Sequence, residues 1–85
     1  MYEFFDACKT GNLKKVESLI ENGADVNSKI WFEETPLHVA CVKGHVDIVK
    51  LLIEKGVDLN TKDRCGETSL FIACLNGYID IVKLL

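Results

Sequence analysis

Six side chains in this chain could carry nucleophilic or metal chemistry: Cys8, Cys41, Cys65 and Cys74, with His38 and His45. His38 and Cys41 are three residues apart, so on a helix they would share a face. Such a pair could begin a zinc site or a Cys–His nucleophile. Zinc wants four ligands, and no second pair stands at a suitable spacing. A nucleophile needs a third group to orient its base and donors to hold an oxyanion, and the sequence offers neither. There is no glycine-rich phosphate loop and no dense acidic cluster. The sequence therefore leads us to expect no catalytic residue, no metal and no cofactor, with His38 serving as a hydrogen-bonding residue of the scaffold.

The bulk properties exclude several other classes. The 85 residues suit one small domain, which buries only about 60% of its unfolded surface. Apolar residues make up 48% and charged residues 27%, ordinary values for a soluble globular chain. The net charge of −3 is spread over interspersed signs. It gives no footprint for nucleic acid or an anionic membrane. The apolar runs are too short to span a bilayer, and Met1–Asp6 does not read as a secretory signal.

What positions the cysteines and histidines is a repeat. Shifted by 33 residues, the sequence falls on itself: Ala7-Cys8 on Ala40-Cys41 and Ala73-Cys74, and Gly11 on Gly44 and Gly77. Gly23, Asp25 and Asn27 meet Gly56, Asp58 and Asn60, and Val46–Leu52 meets Ile79–Leu85. A fixed period of this size marks a stacked array. Each unit reads as two short helices. Thr35 can cap the first and Pro36 suits its first turn. Gly44 can end it in a left-handed conformation. The second begins near Val46, with Val46, Val49, Leu52 and Ile53 on one face, and stops at Gly56. An extended polar segment, Asp58 to Glu67 with Gly66 in it, leads to the next unit.

Thr35-Pro36-Leu37-His38-Val39-Ala40-Cys41, then Gly44-His45-Val46-Asp47-Ile48-Val49-Lys50-Leu51-Leu52, then Gly56-Val57-Asp58-Leu59-Asn60, resembles the ankyrin repeat. The resemblance covers almost the whole chain in three copies. It implies an all-α solenoid of stacked helix-turn-helix units with protruding β-hairpin-like loops. Residues 1–85 then form one ankyrin-repeat domain: 1–29 an N-terminal capping-type repeat, 30–62 a full repeat, and 63–85 a truncated third. The third copy departs from the motif, with Thr68-Ser69-Leu70-Phe71 lacking both Pro and His. The resemblance also implies that His38 bonds to backbone of the adjacent loop.

In this arrangement Cys8, Cys41 and Cys74 share one position beside a small Ala on the packed face of the first helix. Stacked equivalents lie roughly 10 Å apart. A disulfide needs Cα atoms within about 7 Å, so these three are expected to be buried small hydrophobes that do not bridge. Cys65 falls at a loop tip. A free exposed thiol fits a reducing compartment, the cytoplasm or the nucleus. His45 reads as a cap or surface residue.

The function the resemblance implies is non-catalytic protein–protein interaction through a concave surface of loop tips and first-helix ends. By matching positions that surface is Trp31, Phe32, Glu34, Val42 and Lys43, with Arg64, Cys65, Glu67, Leu75 and Asn76 in the next copy, extended by Lys9 and Thr10. Trp31, the single tryptophan, stands with Ile30 and Phe32 where a polar turn is expected. Exposed apolar residues rimmed by charge mark interaction sites, and Trp and Arg dominate hot spots. Trp31 is thus expected to anchor a protein partner. Glu33 stands where copy three has Gly66 and takes that turn only with strain, so this loop should be bent differently or be mobile. The competing class is a structural spacer or self-associating module that meets a second copy through Ile81, Val82, Leu84 and Leu85. Asn27 and Asn60 stand where asparagines of this family can be hydroxylated. Their alternative role is to tie down the loop turn.

Overall fold

The computed structural model describes residues 3–85, the side chain of Trp31 excepted. Six α-helices form among these residues, in pairs: α1 (Glu3–Thr10) with α2 (Leu13–Glu21), α3 (Pro36–Lys43) with α4 (Val46–Glu54), and α5 (Ser69–Leu75) with α6 (Ile79–Leu84). No strand forms among the described residues. The two fingers, Ile30–Glu34 and Asp63–Glu67, are closed instead at their bases by Ile30 N–H to Glu34 C=O at 2.9 Å and Asp63 N–H to Glu67 C=O at 3.0 Å.

The helix ends follow their residues. Pro36 opens α3, and the Thr35 hydroxyl accepts from the His38 N–H at 3.3 Å. Thr68 caps α5 in the same way, accepting from Phe71 N–H at 3.2 Å. Gly44 closes α3 with φ 74°. α3 lies between α1 and α5, so both of its sides are covered. That is why Pro36 through Cys41 are all buried and the helix carries no charge before Lys43. On α4 the buried stripe is Ile48, Val49 and Leu52, while Val46 and Ile53 are half-buried. The face keeps Val49 and Leu52 of the stripe read from the sequence and takes Ile48 as its third buried member.

His38 fastens one repeat to the next. Its Nε2 lies 2.8 Å from Glu67 C=O, so that nitrogen carries the hydrogen. Its Nδ1 accepts from the Thr35 N–H at 3.3 Å and lies 2.7 Å from the Thr35 hydroxyl. The ring is fully buried with both nitrogens satisfied, the scaffold role expected of it.

Two rings make a second fastening that the sequence reading missed. His45 heads α4 without capping it. Its Nε2 instead donates to Lys9 C=O in the preceding repeat at 2.9 Å. The imidazole lies over Gly11, where a Cβ would come within 2.8 Å of Cε1. Tyr78 repeats the device over Gly44, its hydroxyl donating to Val42 C=O at 3.4 Å. The signal was the spacing of 34 from Gly11 to His45 and from Gly44 to Tyr78, which puts each ring one repeat above a glycine.

The cysteine expectation holds for two of three positions. Cys8 and Cys41 are fully buried, and burial pushes both thiols up from their ordinary 9.0 to about 12. Cys74 is exposed. α3 covers Cys8 and α5 covers Cys41, but no described helix lies over the equivalent face of α5. For the same reason Leu70 is 42% and Phe71 50% exposed, while their counterparts Leu37 and His38 are buried. All four cysteines are free thiols.

Candidate functional site

The side of the array lined by first helices and fingers carries an open cleft of about 400 Å³. Phe5, Asp6 and Lys9 of α1 form one wall, and Val39, Val42 and Lys43 of α3 the other. Ile30 and Glu34, at the base of the first finger, close the end. The floor is apolar and the rim carries two lysines and two carboxylates. Of the residues expected to bind, Glu34, Val42, Lys43 and Lys9 meet here. Phe5, Asp6, Ile30 and Val39 also line the cleft and were not anticipated. Ile30, which stands where a polar turn is expected, packs against the core and supplies the end wall.

The finger next to the cleft has an unusual backbone. Glu33 has φ 59°, the left-handed sign of Gly66 (φ 79°), so the strain expected at this substitution is present. Phe32 is left-handed as well, φ 61°. In the second finger Asp63 Oδ1 accepts from both Cys65 N–H and Glu67 N–H, each at 2.9 Å. Ile30 stands at that position in the first finger and offers no acceptor. The tip turns over residues 31–33 with Glu33 N–H on Ile30 C=O at 3.1 Å, the counterpart of Gly66 N–H on Asp63 C=O at 3.0 Å, but without the side-chain brace. Phe32 projects with 63% of its surface exposed. The guanidinium of Arg64 lies over its ring, 5.6 Å from the centroid, and the Arg64 N–H donates to Phe32 C=O at 2.7 Å. The two fingertips are thus joined. The Trp31 side chain lies outside the described residues, so its anchoring role stays an expectation.

The remaining expected residues are spread more widely. Cys65 is exposed at the second fingertip, and Glu67 is half-buried with its carbonyl taken by His38. Leu75 is exposed, Asn76 bonds to Ile72 C=O through its amide, and Thr10 bonds to Asp6 C=O. None of these lines the cleft. Asn27 accepts from Asp58 N–H of the following repeat at 2.8 Å, the turn-tying role. Asp25 and Asp58 brace the same turns, accepting from Asn27 N–H and Asn60 N–H. Among the described residues, no three His, Cys, Asp or Glu side chains converge as metal ligands would. No described helix is long and apolar enough to cross a membrane.

Paired helices, projecting fingers, and ties running from each pair to the next define a helical solenoid. A comparison with known protein families matches residues 4–85 to ankyrin repeats in three copies, and the chain belongs to that family. Ankyrin repeats are generally non-catalytic protein–protein interaction modules. A search of curated proteins returned no match.

Proposed function

We propose that this chain is a non-catalytic module that binds a protein partner on its concave side, with the cleft between α1 and α3 and the Phe32 fingertip as the contact surface. The observation that carries this reading is Phe32: a large aromatic ring, 63% exposed, at the tip of a finger whose base walls an apolar cleft. An exposed apolar group rimmed by charge is the usual mark of an interaction site. Val42, 38% exposed on the opposite wall, extends the patch. Trp31, Cys65, Leu75 and Asn76 stand as outer members of the proposed surface.

The test is partner capture by the parent and by a Phe32→Ala, Val42→Glu variant whose circular dichroism matches it. Both residues are exposed, so the variant keeps its core. Loss of the captured partners supports the reading. Retention of the same partners overturns it.

A second reading has its own observation. Leu70, Phe71, Leu75 and Ile79 are 42%, 50%, 72% and 67% exposed on the third repeat. This surface favours self-association as the alternative role. The residues differ from those first expected: Ile81 is buried and Val82, Leu84 and Leu85 are half-buried, because they pack back onto the core. A concentration-dependent mass that Phe71→Glu abolishes supports this reading, and a constant monomer mass removes it. Asn27 and Asn60 remain proposed hydroxylation positions. Mass spectrometry of the cell-derived chain tests this by the gain of one oxygen atom at either residue.

A further inference from the structure

We infer that the concave site prefers an acidic partner segment: an apolar side chain seated in the cleft, with a neighbouring carboxylate held by the guanidinium of Arg64. This rests on the protein-binding reading above and names the chemistry of the partner.

Arg64 is an exposed cation that the fold has already positioned. Its guanidinium rests over the Phe32 ring and its backbone N–H is tied to Phe32 C=O. An arginine stacked on an aromatic face keeps its edge donors available, and their fork matches a carboxylate. Among the described residues the guanidinium has no ion pair and no hydrogen bond. The single ion pair found there joins Lys15 to Glu3. The acidic neighbours do not occupy it. Asp63 turns one oxygen inward to brace the fingertip, and neither Glu33 nor Glu67 lies within ion-pairing distance.

The platform under Arg64 is held in place. Phe32 and Glu33 sit in the left-handed region that side chains rarely adopt, and three backbone bonds keep them there: Ile30 to Glu34, Glu33 to Ile30, and Arg64 to Phe32. Backbone strain retained around an outward ring fits a contact surface better than a structural turn. The stack also adjoins the cleft, because Ile30 and Glu34 of the same finger form its end wall. The rim of the cleft is balanced, Lys9 and Lys43 against Asp6 and Glu34, so it sets no charge preference of its own. Preference then falls to Arg64. The chain has no basic stripe to track a phosphate backbone, and its one arginine offers a single fork, which fits one protein carboxylate.

The test titrates the 85-residue chain, followed by amide and arginine side-chain NMR, with three synthetic hexapeptides. They share a central leucine and carry Glu, Gln or Lys after it. The Glu peptide should shift the Arg64 side-chain resonance together with Val39 and Val42. It should bind about fivefold more tightly than the Gln peptide, the upper range for an exposed charge pair. Arg64→Gln should erase that difference, and Phe32→Ala should reduce it. Peptides that shift the cleft residues equally, whatever their charge, overturn this inference and leave the protein-binding reading standing. A Glu preference that survives Arg64→Gln also overturns it. If no peptide moves a cleft residue, both readings fall.

Discussion

Gly11, Gly44 and Gly77 hold the same left-handed turn, with φ of 80°, 74° and 71°, so replacing each with alanine should impose the same backbone cost, about 1 kcal/mol. Their surroundings differ. At Gly11 the new methyl would stand 2.8 and 2.9 Å from Cε1 and Nδ1 of His45. The ring must move off, losing its 2.9 Å bond to Lys9 C=O, worth about 1 kcal/mol, and part of its packing. At Gly44 the contacts with Tyr78 are 3.0 to 3.3 Å and the bond at risk is a long 3.4 Å, so the added cost is smaller. At Gly77 nothing lies within 4 Å. Urea unfolding should therefore rank the variants: Gly11→Ala loses about 2–3 kcal/mol, Gly44→Ala about 1.5–2, and Gly77→Ala about 1. The decisive measurement is a double-mutant cycle of Gly11→Ala with His45→Ala, which should return a coupling of about 1–2 kcal/mol. Three equal costs, or a coupling within about 0.3 kcal/mol of zero, would show that the rings merely rest on the glycines and refute the fastening described here.

Two further outcomes follow from the interior. His38→Phe keeps a ring in place but leaves Glu67 C=O and Thr35 N–H without their partner. It should cost about 2–3 kcal/mol in urea unfolding and speed hydrogen exchange in the Asp63–Glu67 finger, although phenylalanine is native at the equivalent Phe5 and Phe71. Thiol labelling at pH 8 should modify Cys65 and Cys74 in the folded chain, and Cys8 and Cys41 only after denaturant is added. The two buried thiols hold their protons to about pH 12 when folded but release them near 9.0 when unfolded. Their contribution is complete below pH 9 and is lost between 9 and 12. The urea midpoint should fall across that window, and less steeply in a Cys8→Ala, Cys41→Ala variant.

The helices were legible because their signals are local. Thr35, Pro36 and Gly44 each act within one turn, and the 33-residue register shows where the signals recur. His38 was legible in part: the repeat motif gave its target, and the structure supplied its tautomer. The cleft was harder to see. Phe5 and Val39 are buried core residues that also line its walls, and Ile30 reads as a flaw in the turn until its contact with the core is known. Cys74 was misread because a repeat position was equated with burial. The side chain is the same as Cys8 and Cys41, but coverage comes from the neighbouring helix pair. Phe32 was expected at the surface, but not its left-handed backbone. There Ile30 offers no carboxylate to brace the tip, and Phe32 C=O takes its bond from Arg64, a residue 32 positions away.

The ties between repeats also bear on how the chain could be lengthened. His38 reaches Glu67, Tyr78 reaches Val42, Asp58 reaches Asn27 and Arg64 reaches Phe32, each spanning 29 to 36 residues. Each tie therefore depends on translation by a single unit. If residues 30–62 were inserted twice in tandem, His38 of the first cassette would meet the Glu34 carbonyl of the second. His45 of the second would meet the Val42 carbonyl of the first, over Gly44. Asn60 of the first would receive Asp58 N–H of the second. These three ties would need no design, whereas the arginine–ring contact would not recur, because Trp31 stands in the cassette where Arg64 stands in the third repeat; the molecule thus carries within itself most of the template for longer arrays.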